Sequence, residues 1–373
     1  MTAHPTLREV LHAIAPGNSI APDAEARVGA AVGVLGAKTP WYIRLLIGGG
    51  AWFGTWFLLA FLFALLGIAF GGDIALPAIA VGGPLVALAV ALQRMRSGDF
   101  IRQLALVVSL TGQGLFISGL ASAAHSDELA AVAALVISAV LLAIYPERVH
   151  RFFSTLIAIG ALATLIHDAR AAFPYGLEVL ALALVAIAVL LWRALPTDYR
   201  AQHADFVDPA VAGAIVSLLV LSLVATIAAM WSWMRTDWLM MGALTTVGVT
   251  IALLGLVHHL FAEHRVLPLR PAPIAASAVV LLLAAVTWTT PAILLTILVV
   301  ILGFDRRNRV IVGLAIAFFL AFCAIYYYSL ELTLLQKSGV LVGSGTLCLV
   351  SWAALRTLVP SEDVRTAVRP HLV

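Results

Sequence analysis

Between Leu45 and Leu355 the chain repeats one theme twelve times: an apolar run long enough to enter a bilayer, then a short connection of polar, basic or turn-forming residues. A hydrocarbon core about 30 Å thick takes roughly 20 helical residues, and lipid offers the backbone no partners, so each run must satisfy its own N–H and C=O groups as a helix. The runs are approximately Leu45–Phe70, Leu76–Leu92, Gln103–Ser122, Leu129–Tyr145, Phe152–Ile166, Tyr175–Trp192, Val211–Met234, Trp238–Phe261, Ile274–Trp288, Pro291–Phe304, Val310–Tyr328 and Ser338–Leu355. Only 11% of residues are charged and the mean hydropathy is +1.06, against about a quarter charged in a soluble domain. The expected fold is an all-α integral membrane protein with about 12 transmembrane helices. Residues 1–44 form a cytoplasmic amphipathic segment, 45–356 the transmembrane helical domain and 357–373 a cytoplasmic tail.

The basic residues divide sharply between alternate connections. Nineteen of the 22 Lys and Arg fall in the N-terminal segment, the even-numbered loops and the C-terminus; the other loops hold only Arg170, Arg235 and Lys337. That asymmetry predicts both termini on the cytoplasmic side. It also resolves the two shortest runs: joining the ninth to the tenth would carry Arg306, Arg307 and Arg309 to the opposite side, so a return is expected at "WTTP", Trp288 to Pro291, as two short spans or a re-entrant hairpin. In the tail, Leu7, Val10, Leu11 and Ile14, then Val28, Ala31 and Leu35, recur at helical spacing around the breaker "APGNSIAPD" and predict short helices on the membrane surface. No signal peptide is read at the N-terminus, which lacks the basic and apolar regions of one. Cys323 and Cys348, the two cysteines, lie inside apolar runs and are read as small hydrophobes.

A faint duplication accompanies the even number of runs. "LLAIYPERVHRFFSTLIAIG" followed by "LLWRAL" resembles "VVILGFDRRNRVIVGLAIAF" followed by "VSWAALR", which would set Tyr145 against Phe304 and Trp192 against Trp352. Two parallel six-helix repeats, related by an axis along the membrane normal, and chance similarity of short apolar sequences are equal readings of this offset. Under the first, the outward loops bring Glu178 to Lys337 and Arg170 to Glu331, as inter-half ion pairs that lock the halves or gate a path between them. The competing reading, and the favoured one, is an interfacial belt: Tyr326, Tyr327 and Tyr328 at headgroup level, with Lys337 snorkelling to water.

No Asp, Glu, Lys or Arg falls mid-bilayer on this map, which weighs against a proton-driven pump. Polar candidates lie in the third run, where Gln113 can bond across to another helix among Gly112, Gly114 and Gly119, and in the second, where Gly82, Gly83 and Pro84 predict a broken helix. Gly50 with Gly54 and Gly339 with Gly343 are small-residue packing spacings. His258, His259 and His264 lack a known ligand spacing and are read as interfacial, so no metal site and no cofactor is expected. No phosphate loop, nucleophile elbow or catalytic constellation is present in the sequence, so an enzyme is not expected. The net charge of +3 reflects the basic cytoplasmic loops and predicts no nucleic-acid partner.

The stretches "LGAKTPWYIRLLIGGGAWFGTWFLLAFL", "GDFIRQLALVVSLTGQGLF" and "YYYSLELTLLQKSGVLVGSG" together resemble the bacterial membrane family called domain of unknown function 4401. The resemblance implies residence in the bacterial inner membrane. It also implies a second membrane-associated protein, bearing a Gly-Asp-Tyr-x-x-Leu-x-Tyr motif, as a partner beside the lipid bilayer, and it supplies no catalytic or binding residues. Two functional classes follow: a non-enzymatic component of an envelope membrane assembly, which is favoured, and a transporter or flippase for an uncharged or amphipathic solute. A polar-lined central cavity would mark the second.

Overall fold

The computed structural model describes residues 41–329, apart from 96–98, 174, 195–202, 232–234, 264–269 and 289, together with a few positions between 335 and 353. Eleven α-helices lie among these residues: α1 (Trp41–Ala69), α2 (Ala75–Arg94), α3 (Asp99–Ala124), α4 (Asp127–Ile144), α5 (Arg148–Asp168), α6 (Gly176–Val189), α7 (Ala204–Trp231), α8 (Arg235–Glu263), α9 (Pro271–Val286), α10 (Pro291–Asp305) and α11 (Arg309–Ser329). Each coincides with one of the first eleven apolar runs. Among the described residues seven helices are long and apolar enough to cross a membrane, those that contain 75–94, 101–124, 127–144, 148–171, 204–228, 242–263 and 309–328, and four apolar stretches are shorter. This is a multi-pass helical membrane protein. The twelfth expected run falls mostly outside the described residues, as do residues 1–40 of the amphipathic segment and all of the tail at 357–373, while Trp41–Arg44 of that segment belong to α1.

Local chemistry sets the helix ends. Gly71 and Gly72 adopt positive φ between α1 and α2, a conformation that costs glycine little. Ser126 accepts from the Leu129 amide at 3.3 Å to start α4, with Asp127 and Glu128 in its first turn. Pro271 and Pro291 open α9 and α10, where a missing N–H does no harm. The helix breaks at "WTTP": α9 ends at Val286, α10 begins at Pro291, and Thr246 of α8 donates to the Trp288 carbonyl at 2.9 Å.

The expected break at Gly82–Pro84 is absent. Helix α2 runs on through Gly82, Gly83 and Pro84, because an internal proline removes one N–H and the flanking turns can hold. Gly82 serves contact instead. A Cβ there would stand 2.5 Å from the Phe116 amide nitrogen and 2.7 Å from the Gly112 carbonyl oxygen of α3; one on Gly112 would stand 2.9 Å from the Gly82 carbonyl oxygen, and one on Gly119, 2.8 Å from that of Ala75. Three glycines thus let the antiparallel α2 and α3 meet backbone to backbone.

The apolar interior divides along the chain. Leu59, Leu62 and Leu66 of α1, Ala78 of α2 and Leu115 of α3 pack as one cluster. A far larger one joins α5 through α11 around Leu184, Leu218, Leu219, Leu253, Leu294 and Leu298. Between them lies an alanine-lined patch, Ala131 and Ala134 of α4 against Ala161 of α5, with Ile117 of α3 packed on it. Helix α3 packs closely on α2 and α4, while its backbone approaches that of α5 less closely.

Candidate functional site: a buried polar node between α3 and α5

Where the backbones of α3 and α5 diverge, side chains close the gap. Ser109 and Gln113 stand one turn apart on α3, His150 and Ser154 one turn apart on α5, and all four are no more than 1% exposed. Ser109 Oγ lies 2.8 Å from His150 Nε2, and Ser154 Oγ lies 3.1 Å from Nδ1. Gln113 Nε2 reaches Ser109 Oγ at 3.3 Å and His150 Nε2 at 3.5 Å, the latter too long to add much. Tyr145, 1% exposed, lays its ring flat on the imidazole with centroids 3.9 Å apart and planes at 16°.

The short α4–α5 connection builds this arrangement. Pro146 cannot continue a helix and forces the residue before it into extended geometry; Tyr145 has ψ 118° while its amide still bonds the Leu141 carbonyl at 2.8 Å. The chain reverses within three residues, and His150 arrives in the first turn of α5 beneath the Tyr145 ring. At the rim, Arg148 pairs with Asp205 of α7, Arg151 Nη1 donates to the Asp205 carbonyl at 2.9 Å, and its guanidinium sits 5.3 Å from the Phe206 ring centre. Burial holds the Glu147 carboxyl above the usual carboxylate range, with Arg102 of α3 pulling the other way.

A proton count fixes the chemistry. Each imidazole nitrogen meets a hydroxyl, and no carboxylate among the described residues bonds the ring, so an imidazolium here would have no bonded counter-charge among them; the neutral form fits. In the tautomer with its proton on Nδ1, Ser154 accepts from Nδ1–H, Ser109 donates to Nε2 and Gln113 donates to Ser109; in the other tautomer the two serines exchange roles. Gln113 Oε1 and the Tyr145 hydroxyl make no hydrogen bond among the described residues.

The other candidate residues lie elsewhere. Gln113 stands 3.5 Å from His150 of α5, and Ser109 makes the shorter bond to that helix, at 2.8 Å. Arg170 occupies a single 3-10 turn after α5, its Nη1 3.5 Å from His167 Nε2, beside a shallow polar depression also lined by His125, Asp127 and Asp168. Glu178, in the first turn of α6, is partly buried and its Oε2 has no hydrogen bond among the described residues. Glu331 and Lys337 lie outside the described residues, so neither ion pair is visible. His258 bonds Ser277 at 3.2 Å and His259 approaches Glu263 at 3.9 Å, while His264 lies outside the described residues. Tyr145 and Phe304, equivalent under the duplication, differ sharply, at 1% and 78% exposure.

Sequence reasoning placed Ser109 and Gln113 in the third span but missed His150, Ser154 and Tyr145 as their partners. Starting the fifth span at Phe152 had left His150 in a basic loop. The signal was the four-residue spacing of His150 and Ser154 directly after a proline turn.

A family model described as Domain of unknown function (DUF4401) matches residues 40–358. No curated protein and no solved structure matches the chain.

Proposed function

The chain belongs to the DUF4401 family, and on that premise we propose that it is a non-enzymatic component of a membrane assembly in the bacterial envelope. The supporting observation is the core joining α5 to α11. Leu218, Leu219, Leu253, Leu294, Leu298 and Leu302 are at most 1% exposed and pack into one aliphatic interior. Two threonine hydroxyls near it turn to their own helix, Thr250 to the Thr246 carbonyl at 2.6 Å and Thr296 to that of Ile293 at 2.7 Å, while Ser217 Oγ and Trp192 Nε1 make no hydrogen bond among the described residues. A body packed in this way suits a scaffold, whereas a carrier needs a polar route between its moving parts. The partner is a second membrane-associated protein, with a Gly-Asp-Tyr-x-x-Leu-x-Tyr motif as its mark. In this reading twelve helices cross the inner membrane, both termini are cytoplasmic, and the two halves are parallel six-helix repeats.

Gentle purification from the native membrane tests the proposal. A second membrane protein retained in near-equal amount supports it, and loss of that protein should destabilise the chain in the cell. A monomer or homodimer carrying a bound solute in near-equal amount would overturn it in favour of transport.

The outward ends of the halves meet through Glu178 and Lys337 in the same reading. The unbonded Glu178 Oε2 supports this, since a partly buried carboxylate gains from a cation nearby. Either Glu178→Lys or Lys337→Glu alone should then lower stability by ~1–2 kcal/mol, between the values for exposed and buried pairs. The double reversal should recover most of that in a thermal unfolding assay in detergent. A double variant no better than the worse single one ends the pairing idea.

A further inference from the structure

We propose that the polar node is a latch across a joint between α1–α3 and the rest of the bundle, closed by neutral His150 and released when His150 takes up a proton. The inference is independent of the assembly reading. Its basis is the division of the core: the α1–α3 cluster and the α5–α11 cluster are separate, and α3, besides packing along α4, reaches α5 at two places. One is the patch that Ile117 shares with Ala161, Ile157 and Leu165 of α5 and with Ala131, Ala134 and Leu135 of α4. The other is the node, where a single imidazole joins Ser109 of α3 to Ser154 of α5. The turn from α3 into α4 passes through His125, held at φ 50°, at the opposite end of α3. Rotation about that end and the alanine patch would open the other end once the node lets go.

Protonation is what lets go. In the closed node the neutral ring accepts from one of its two hydroxyls; an imidazolium can only donate, so both serines must turn to accept, and a charge stays buried among hydroxyls, aliphatic groups and the Tyr145 ring with no bonded counter-charge among the described residues. Opening gives that charge water. The sign follows from linkage: above the ordinary imidazole value of about 6.5 the closed state is unaffected, and below it the open population gains up to about tenfold per pH unit. The charged and titratable groups around the node are Tyr145 and Glu147 on the α4–α5 turn, Arg102 on α3, Arg148 and Arg151 on α5, and Asp205 on α7. Glu147 acts in the opposite sense. Burial raises its carboxyl in the closed state, so its protonation favours closure as pH falls, and E147Q should make the opening steeper.

The test uses the full chain in lipid nanodiscs with Cys323 and Cys348 changed to serine and spin labels at L104C on α3 and V149C on α5, positions 41% and 39% exposed at the node end. Pulsed electron paramagnetic resonance should give one distance at about pH 8 and a second, longer one growing below about pH 6.5. In H150Q the opening at low pH should vanish, leaving only the drift toward closure that Glu147 drives. S109A, which keeps the imidazole, should raise the open population about fivefold at about pH 8, the worth of one hydrogen bond, and stay pH-responsive. S109A carries the test alone should H150Q fail to fold. A distribution indifferent to pH, an opening at low pH that persists in H150Q, or an S109A distribution equal to the parent's would each overturn the latch.

Discussion

Gly82→Ala should destabilise the protein by ~2–3 kcal/mol while Gly83→Ala, at the next position on the same helix, changes stability by less than ~1 kcal/mol, the cost of forcing atoms into a packed contact setting the first figure. The two changes share helix propensity, a gain for alanine in either place, and nearly share membrane depth. They differ in what the new methyl meets. At Gly82 it would stand 2.5 Å from the Phe116 backbone nitrogen, which can give way only if α3 moves as a whole; at Gly83 it meets the Phe116 ring at 3.7 Å, ordinary contact. Gly112→Ala should behave as Gly82→Ala does, because its methyl meets the same crossing from the other side. Thermal unfolding of the detergent-solubilised variants measures the contrast. Equal losses at Gly82 and Gly83 would mean that α2 and α3 do not cross through these glycines.

That pair shows what a linear reading of the sequence reaches and where it stops. The apolar runs located eleven helices to within a few residues, except that α7 starts at Ala204, seven residues before Val211, because lipid leaves the backbone no alternative to helix and turn chemistry marks the ends. Hydropathy is blind to which face of a helix meets another. "GGP" in the second run therefore read as an interruption, when Gly82 is a contact surface and Pro84 is absorbed by the flanking turns. In the third run Gly112 and Gly119, noted as the surroundings of Gln113, supply the close packing on α2.

The node was half legible for a related reason. Gln113 drew notice as an amide in an apolar run, whereas His150 sat beside Arg148 and Arg151 and read as part of a solvated loop. Burial at that position is set by α3, which lies more than thirty residues earlier, and by the reversal at Pro146 that folds α5 against it. The charges there are also more ordered than a basic loop suggests, since Arg148 and Arg151 both engage Asp205 of α7.

Within the node the imidazole, and not the amide, should carry the stability. His150→Arg is expected to cost ~3–5 kcal/mol, because a guanidinium would be buried where no carboxylate bonds the native side chain. His150→Leu should cost ~2 kcal/mol: two hydrogen bonds and the Tyr145 stack go, though Ser109 and Ser154 can each turn to the carbonyl one turn back and recover part of the loss. Ser109→Ala, which leaves His150 Nε2 without its closest partner, should cost ~1 kcal/mol. Gln113→Leu should fall within about 1 kcal/mol of the parent in either direction, since it removes a 3.3 Å bond together with a buried oxygen that has no partner. Unfolding of the four variants under one set of conditions gives the order. A Gln113→Leu loss as large as that of His150→Leu would move the centre of the node to the amide and leave His150 as packing under Tyr145.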